Sequence, residues 1–202
     1  MRLPTRVLLV VLALAFVEAR ASAADRRSAE WNGIMQVSSG DWRRDRADID
    51  LLLDTMTALV SASPTFSEVV GVLKAAPNLM LLVHPITSRG QLGRGRYFIS
   101  GGRIVGFVDI NVDRLQPRLR VRAIAHELAH ATEIVCQAGE TDRSGANRGE
   151  SFAHAVEETV LREYLTKVPA PEQLASLAVK YGLSRCVPTD DIQARAVTNS
   201  TQ

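Results

Sequence analysis

Val121-Arg122-Ala123-Ile124-Ala125-His126-Glu127-Leu128-Ala129-His130-Ala131-Thr132-Glu133 is the stretch that decides how the chain is read. Val121, Ile124, Ala125, Leu128, Ala131 and Val135 recur at three- and four-residue steps. That period predicts a helix with one apolar stripe, from Pro117, which suits a first helical turn, to about Val135. His126 and His130 are four residues apart and lie opposite the stripe centred on Leu128, so both imidazoles can reach one point beside the helix. Glu127 is rotated by about 100° from His126. It sits at the edge of the histidine face, where it can touch a water held there without being a ligand itself. Two of the four histidines fall in this pentapeptide, which favours a metal site over two solvated side chains.

Catalytic zinc takes three protein ligands and a water, so a third ligand has to come from elsewhere. Glu150 is the first candidate. It follows a polar loop over 140–149 and opens a helix expected from about Glu150 to Lys167, ended by Pro169 and Pro171. An antiparallel return of that helix brings Glu150 beside His126. His154, one turn on, is the alternative, then Glu157, with Asp142 and Glu158 behind them. Glu133 lies a turn too far along to ligate easily and suits a supporting contact to His130. With Glu150 as ligand, His154 is placed to hydrogen-bond a ligand or an oxyanion. Tyr97 and Tyr164 are weaker oxyanion candidates. His84, before Pro85, reads as a strand-end residue.

His-Glu-Leu-Ala-His on a helix, followed by a glutamate on a downstream helix, resembles the gluzincin branch of the zincin-like metallopeptidases. The order of elements is similar to that of the compact minigluzincins. The likeness covers roughly residues 79–167, and its specific part is six residues. It implies that His126, His130 and Glu150 bind Zn2+ and that Glu127 is the general base and acid. One departure stands out: thermolysin-like enzymes carry an acid four residues after the third ligand, and here that position is His154. The implied fold is α+β and zincin-like: a small antiparallel sheet packed on the active-site helix, with N-terminal helices and a C-terminal glutamate helix. The implied activity is peptide-bond hydrolysis by a zinc-activated water, with Glu127 taking its proton. The alternative is a non-catalytic zinc-binding module of the cell envelope.

Upstream, Ile49, Leu52, Leu53, Met56, Leu59 and Val60 predict a helix over about 45–61, broken by Ser63-Pro64. Thr65-Phe66-Ser67-Glu68 reads as a capping box for a second helix to Ala75. Residues 24–44 read as a polar lead-in arm, with Trp31 and Trp42 as anchors. Residues 24–78 read as an integral helical layer rather than a latency segment. Leu79–Val83 reads as a strand buried on both faces. Arg96–Ser100 and Arg103–Val112 read as a hairpin turned at Gly101-Gly102. The Arg103–Val112 strand is the expected edge for an extended substrate. A last short helix spans about Pro171 to Tyr181, stopped by Gly182, and residues 187–202 read as a tail.

At 202 residues with 46% apolar and 23% charged side chains, the chain suits one globular domain, over residues 24–186. Met1–Arg6 is basic, Val7–Val17 is apolar, and Ala21-Ser22-Ala23 has the small-x-small form of a signal-peptidase site. Residues 1–23 therefore read as a secretory signal, too short in its apolar part to span a bilayer. A secreted or periplasmic location follows, without a stable membrane span after cleavage. Setting residues 1–23 aside removes Arg2, Arg6, Arg20 and Glu18 and takes the formal charge from +2 to 0, which disfavours a nucleic-acid partner. The expected partner is a peptide or protein substrate. Cys136 and Cys186, in an oxidising compartment, read as one disulfide, closing a loop of about 50 residues and contributing roughly 4 kcal/mol.

Overall fold

A computed structural model describes residues 28–38, 46–86, 92–112, 116–137, 146–170 and 174–183. Strands β1 (Ser28–Trp31) and β2 (Met35–Ser38) come first. Helices α1 (Arg46–Ala62) and α2 (Pro64–Ala75) follow. Strands β3 (Leu79–Ile86), β4 (Gly93–Ser100) and β5 (Arg103–Asn111) precede helices α3 (Pro117–Gln137), α4 (Ala146–Thr166) and α5 (Leu174–Lys180). The fold is α+β. The expected signal segment, Trp42, Asp142, Cys186 and the 187–202 tail lie outside the described residues.

The sheet is mixed, not antiparallel as the sequence suggested. Its order is β1-β2-β3-β5-β4. β1 pairs β2 and β4 pairs β5 antiparallel, whereas β2 pairs β3 and β3 pairs β5 parallel. β4 leaves a vacant position next to β3, and the tight Gly101-Gly102 turn returns β5 into it. Both glycines have positive φ, +57° and +74°, as a two-residue hairpin turn requires.

The lead-in arm is corrected as well: residues 28–38 form a hairpin within the sheet. Its turn carries Asn32 and Gly33 at φ 54° and 71°, and Trp31, Met35 and Val37 are buried. β3 is buried on one face only. Leu81 and Val83 point into the core, while Met80 is 53% exposed. Burial alternates along β5, with Ile104, Val108 and Ile110 inward. All three share a core with Ile49, Leu52, Met56 and Leu59 of α1 and Phe66 and Val69 of α2, or lie at its rim.

Ser63, not Thr65, caps α2. Its backbone is extended, at φ −132° and ψ 107°, and its Oγ accepts from Phe66 N–H at 3.0 Å. Pro64 takes the first helical position, where a missing N–H costs nothing. The corner is tied to the far end of α4 through Glu163. This fully buried carboxylate accepts from Ser63 Oγ, from Thr65 N–H at 3.2 Å, from Thr65 Oγ1 at 3.1 Å and from Ala170 N–H at 2.8 Å. No single described helix is long and apolar enough to cross a membrane; α1 and α2 pass that test only as a pair bent by 112°.

Candidate metal centre

α3 buries Val121, Ile124, Ala125, Leu128 and Ala131. This fixes its roll and turns His126 and His130 toward α4. Their Nε2 atoms stand 3.1 Å apart, with the rings edge to face at 4.7 Å. α4 begins at Ala146, a turn earlier than the sequence suggested, and Glu150 lies in its second turn. Glu150 Oε2 is 3.5 Å from His126 Nε2, and Oε1 is 3.4 Å from His130 Nε2. Tetrahedral zinc with bonds of about 2.0–2.1 Å holds neighbouring ligand atoms roughly 3.3–3.5 Å apart. The two glutamate–histidine distances match that spacing, and the histidine pair at 3.1 Å is slightly closer.

Glu157 lies behind His126 rather than beside the other donors. His126 Nδ1 donates to Glu157 Oε2 at 3.0 Å, and Arg122 Nε donates to the other oxygen. With its Nδ1 hydrogen committed, neutral His126 presents a lone pair on Nε2. That lone pair faces a second imidazole nitrogen and two carboxylate oxygens. Acceptors converging in this way repel one another unless a cation or a proton lies between them. The donor set therefore fits a divalent metal of zinc type, with Glu157 orienting the ligand.

Glu157 is completely buried. Burial alone would raise its pKa, but the hydrogen bonds from His126 and Arg122 prevail and bring it down to about 2. The same hydrogen bond raises the pKa of His126, against the opposing effect of burial. His154 also reaches Glu157 Oε2, through Nδ1 at 3.2 Å. Its ring lies 4.8 Å from that of His126, and its Nε2 is 3.9 Å from Glu150. A second ligand-competent trio, His126, His154 and Glu157, exists, but Arg122 already occupies one oxygen of its carboxylate.

Glu133 comes within ion-pair distance of His130 without a hydrogen bond: its carboxylate is 3.9 Å from Nδ1. It accepts instead from Gln137 Nε2 at 3.0 Å and lies against Gly149 of α4. Tyr97 is not free for an oxyanion, since its hydroxyl donates to the backbone oxygen of Glu127 at 3.2 Å. Burial raises its pKa above the ordinary phenol value. Tyr164 lies beneath Lys167 Nζ at 4.3 Å. His84 is on the outer face of the sheet, 3.7 Å from Asp109. Cys136 is buried and disulfide-bonded; the other cysteine, Cys186, is outside the described residues.

Glu127 points from α3 toward β4. A Cβ on Gly93 would come within 2.6 Å of both its Cγ and its Oε1, so only glycine leaves room for the carboxylate there. Oε2 is buried without a hydrogen-bond partner. Burial raises the pKa of Glu127, and the nearby His130 and His126 oppose the rise. A buried carboxylate with an unsatisfied oxygen is costly, and such groups mark places where a proton or substrate is handled. The strand beside it is β4. β5 is interior, between β3 and β4, so the expectation that Arg103–Val112 offers its edge to a substrate is wrong. Among the described residues β4 forms a ladder only with β5.

Arg122 and the true place of Glu157 were missed in the sequence. Arg122 precedes His126 by four residues and Glu157 follows Glu150 by seven. Each spacing repeats a helix face and could have signalled the contact. No protein-family model, no curated protein and no solved structure matches the chain.

Proposed function

We propose that the chain is a zinc-dependent peptidase of zincin type, acting outside the cytoplasm. The observation that carries the proposal is the convergence of His126 Nε2, His130 Nε2 and the Glu150 carboxylate at 3.1–3.5 Å, beside a buried carboxylate with one unsatisfied oxygen. His126 and His130 would hold the ion through Nε2 and Glu150 through its carboxylate, with Glu157 and Arg122 fixing the ring of His126. Zinc held there would supply Lewis acidity and bring the pKa of a nearby water down toward about 7. Glu127 then works through Oε2. It accepts the proton of the attacking water and delivers it to the amine nitrogen as the carbon–nitrogen bond breaks. Its raised pKa suits both halves of that task. Beyond Gly93, the edge of β4 that faces away from β5 offers backbone donors and acceptors to an extended peptide.

The test is the metal content and peptidase activity of the purified chain. After dialysis the wild type should retain about one zinc per chain, and His126→Ala and His130→Ala should lose it. Glu127→Gln should keep the zinc and lose peptide hydrolysis by about 10²–10⁴-fold. Absence of retained zinc removes the proposal. Zinc retention with hydrolysis unaffected by Glu127→Gln would leave only a zinc-binding module of the cell envelope.

A further inference from the structure

The sheet face turned away from the helices plays no part in the candidate site, yet it has a pattern of its own. Strand alternation places Met80 and Leu82 of β3, Val105 and Phe107 of β5, and Phe98 of β4 on it. The register sets Phe98 opposite Val105, Val105 beside Met80, and Phe107 beside Leu82. Phe98 is 57% exposed, Met80 53% and Phe107 39%. The two phenylalanine rings meet edge to face at 5.9 Å, which holds the apolar surface together. Arg94, Arg96 and Arg103 lie on the same face of the same hairpin, and all three are exposed. None of them makes an ion pair with a described residue. Asp109, across the ladder from Arg94, is engaged with His84 at 3.7 Å.

We infer that this face of the β4–β5 hairpin docks on the surface of an anionic lipid bilayer. Exposed aromatic and methionine side chains gain by leaving water for the acyl boundary. Arginines beside them gain from lipid phosphates and the negative surface potential. A bilayer satisfies both at once. An acidic polymer would pair the arginines and leave Phe98 and Met80 in water. A second copy meeting this one across the hairpin edge would bring arginines against arginines. With residues 1–23 set aside, the formal charge is 0, so the attraction is local to this face rather than a property of the whole chain. The inference goes beyond the proposed peptidase activity and does not depend on it. Since β4 is also the strand beside Glu127, docking would hold the cleft close to the membrane plane.

Co-sedimentation with vesicles of phosphatidylcholine, with and without phosphatidylglycerol, tests the inference. Wild type and variants carry the same N-terminal segment, so its contribution cancels in the comparison. The chain should partition onto the anionic vesicles more than onto the neutral ones. Each of Arg94→Gln, Arg96→Gln and Arg103→Gln should weaken that partition by about fivefold, and the pair Phe98→Ser with Phe107→Ser by about tenfold or more. In a Phe98→Trp chain, brominated lipid should quench the added emission. Equal partition of wild type and variants, or no quenching at position 98, overturns the inference. So does a concentration-dependent dimer that the phenylalanine variants abolish, which would assign the face to a second copy.

Discussion

Glu157 and Glu163 stand on the same helix, both without solvent exposure, but their partners differ in kind. Glu163 is met by neutral donors: two hydroxyls and two backbone N–H groups, from the α1–α2 corner and from the chain just beyond α4. Glu157 is met by Arg122, His126 and His154, all charged or ionisable. The first set ties elements together. The second fixes the tautomer and direction of one imidazole. Glu127, on the neighbouring helix, completes the series with an oxygen that has no partner. Where donors saturate a buried carboxylate it serves the fold, and where they leave an oxygen over it is available for proton transfer.

Three substitutions and an acid titration can break or sharpen this contrast. The largest effect is expected at Glu163. Glu163→Ala leaves buried N–H groups of Thr65 and Ala170 without acceptors, at about 1–3 kcal/mol each. Denaturant unfolding should show a loss of about 3 kcal/mol, while the zinc content of the folded fraction should equal that measured for the wild type. Retained stability would refute the structural role. Glu157→Gln should act the other way round. Zinc affinity, read by competition with a chromophoric chelator, should fall about 10–100-fold, with a smaller change in stability.

The acid response follows from the same carboxylate. The folded pKa of Glu157 is about 2, below its ordinary 4.5, so protonation favours the unfolded chain. Its stabilisation is complete above about pH 4.5 and is lost as the pH falls through about 2. Metal-free wild type should therefore lose stability more steeply across that window than metal-free Glu157→Gln. Parallel curves would show that Glu157 carries no such linkage. Smallest is Tyr97→Phe, which removes one hydrogen bond to the Glu127 carbonyl and should cost about 1 kcal/mol in thermal or denaturant unfolding.

The parts legible in the sequence are those that depend on local period. The apolar stripe and the paired histidines of α3 are visible in residues 117–135, and the double glycine announces the β4–β5 turn. Glu150 as partner followed from chain return, and the structure brings it to the histidines. Strand order was not legible. Nothing local says that β4 passes over a vacant position for β5 to fill, and the result is a parallel β3–β5 pair and an interior β5. The β1–β2 hairpin was missed because its strands are only four residues long, although Asn32-Gly33 was a usable turn signal. The Glu163 clamp was hidden for another reason. Its partners at the α1–α2 corner are 98–100 residues away in sequence, and no periodicity carries across such a distance.

That clamp has a consequence for how the chain would respond to a nick. A protease cutting between α2 and β3 would produce two pieces that stay together. β2 remains laddered to β3, Phe66 and Leu59 remain in the shared core, and the Glu163 carboxylate would have to leave its three donors on Ser63 and Thr65 for the pieces to part. Such a molecule would migrate as two bands under denaturing conditions and elute as one species under native ones.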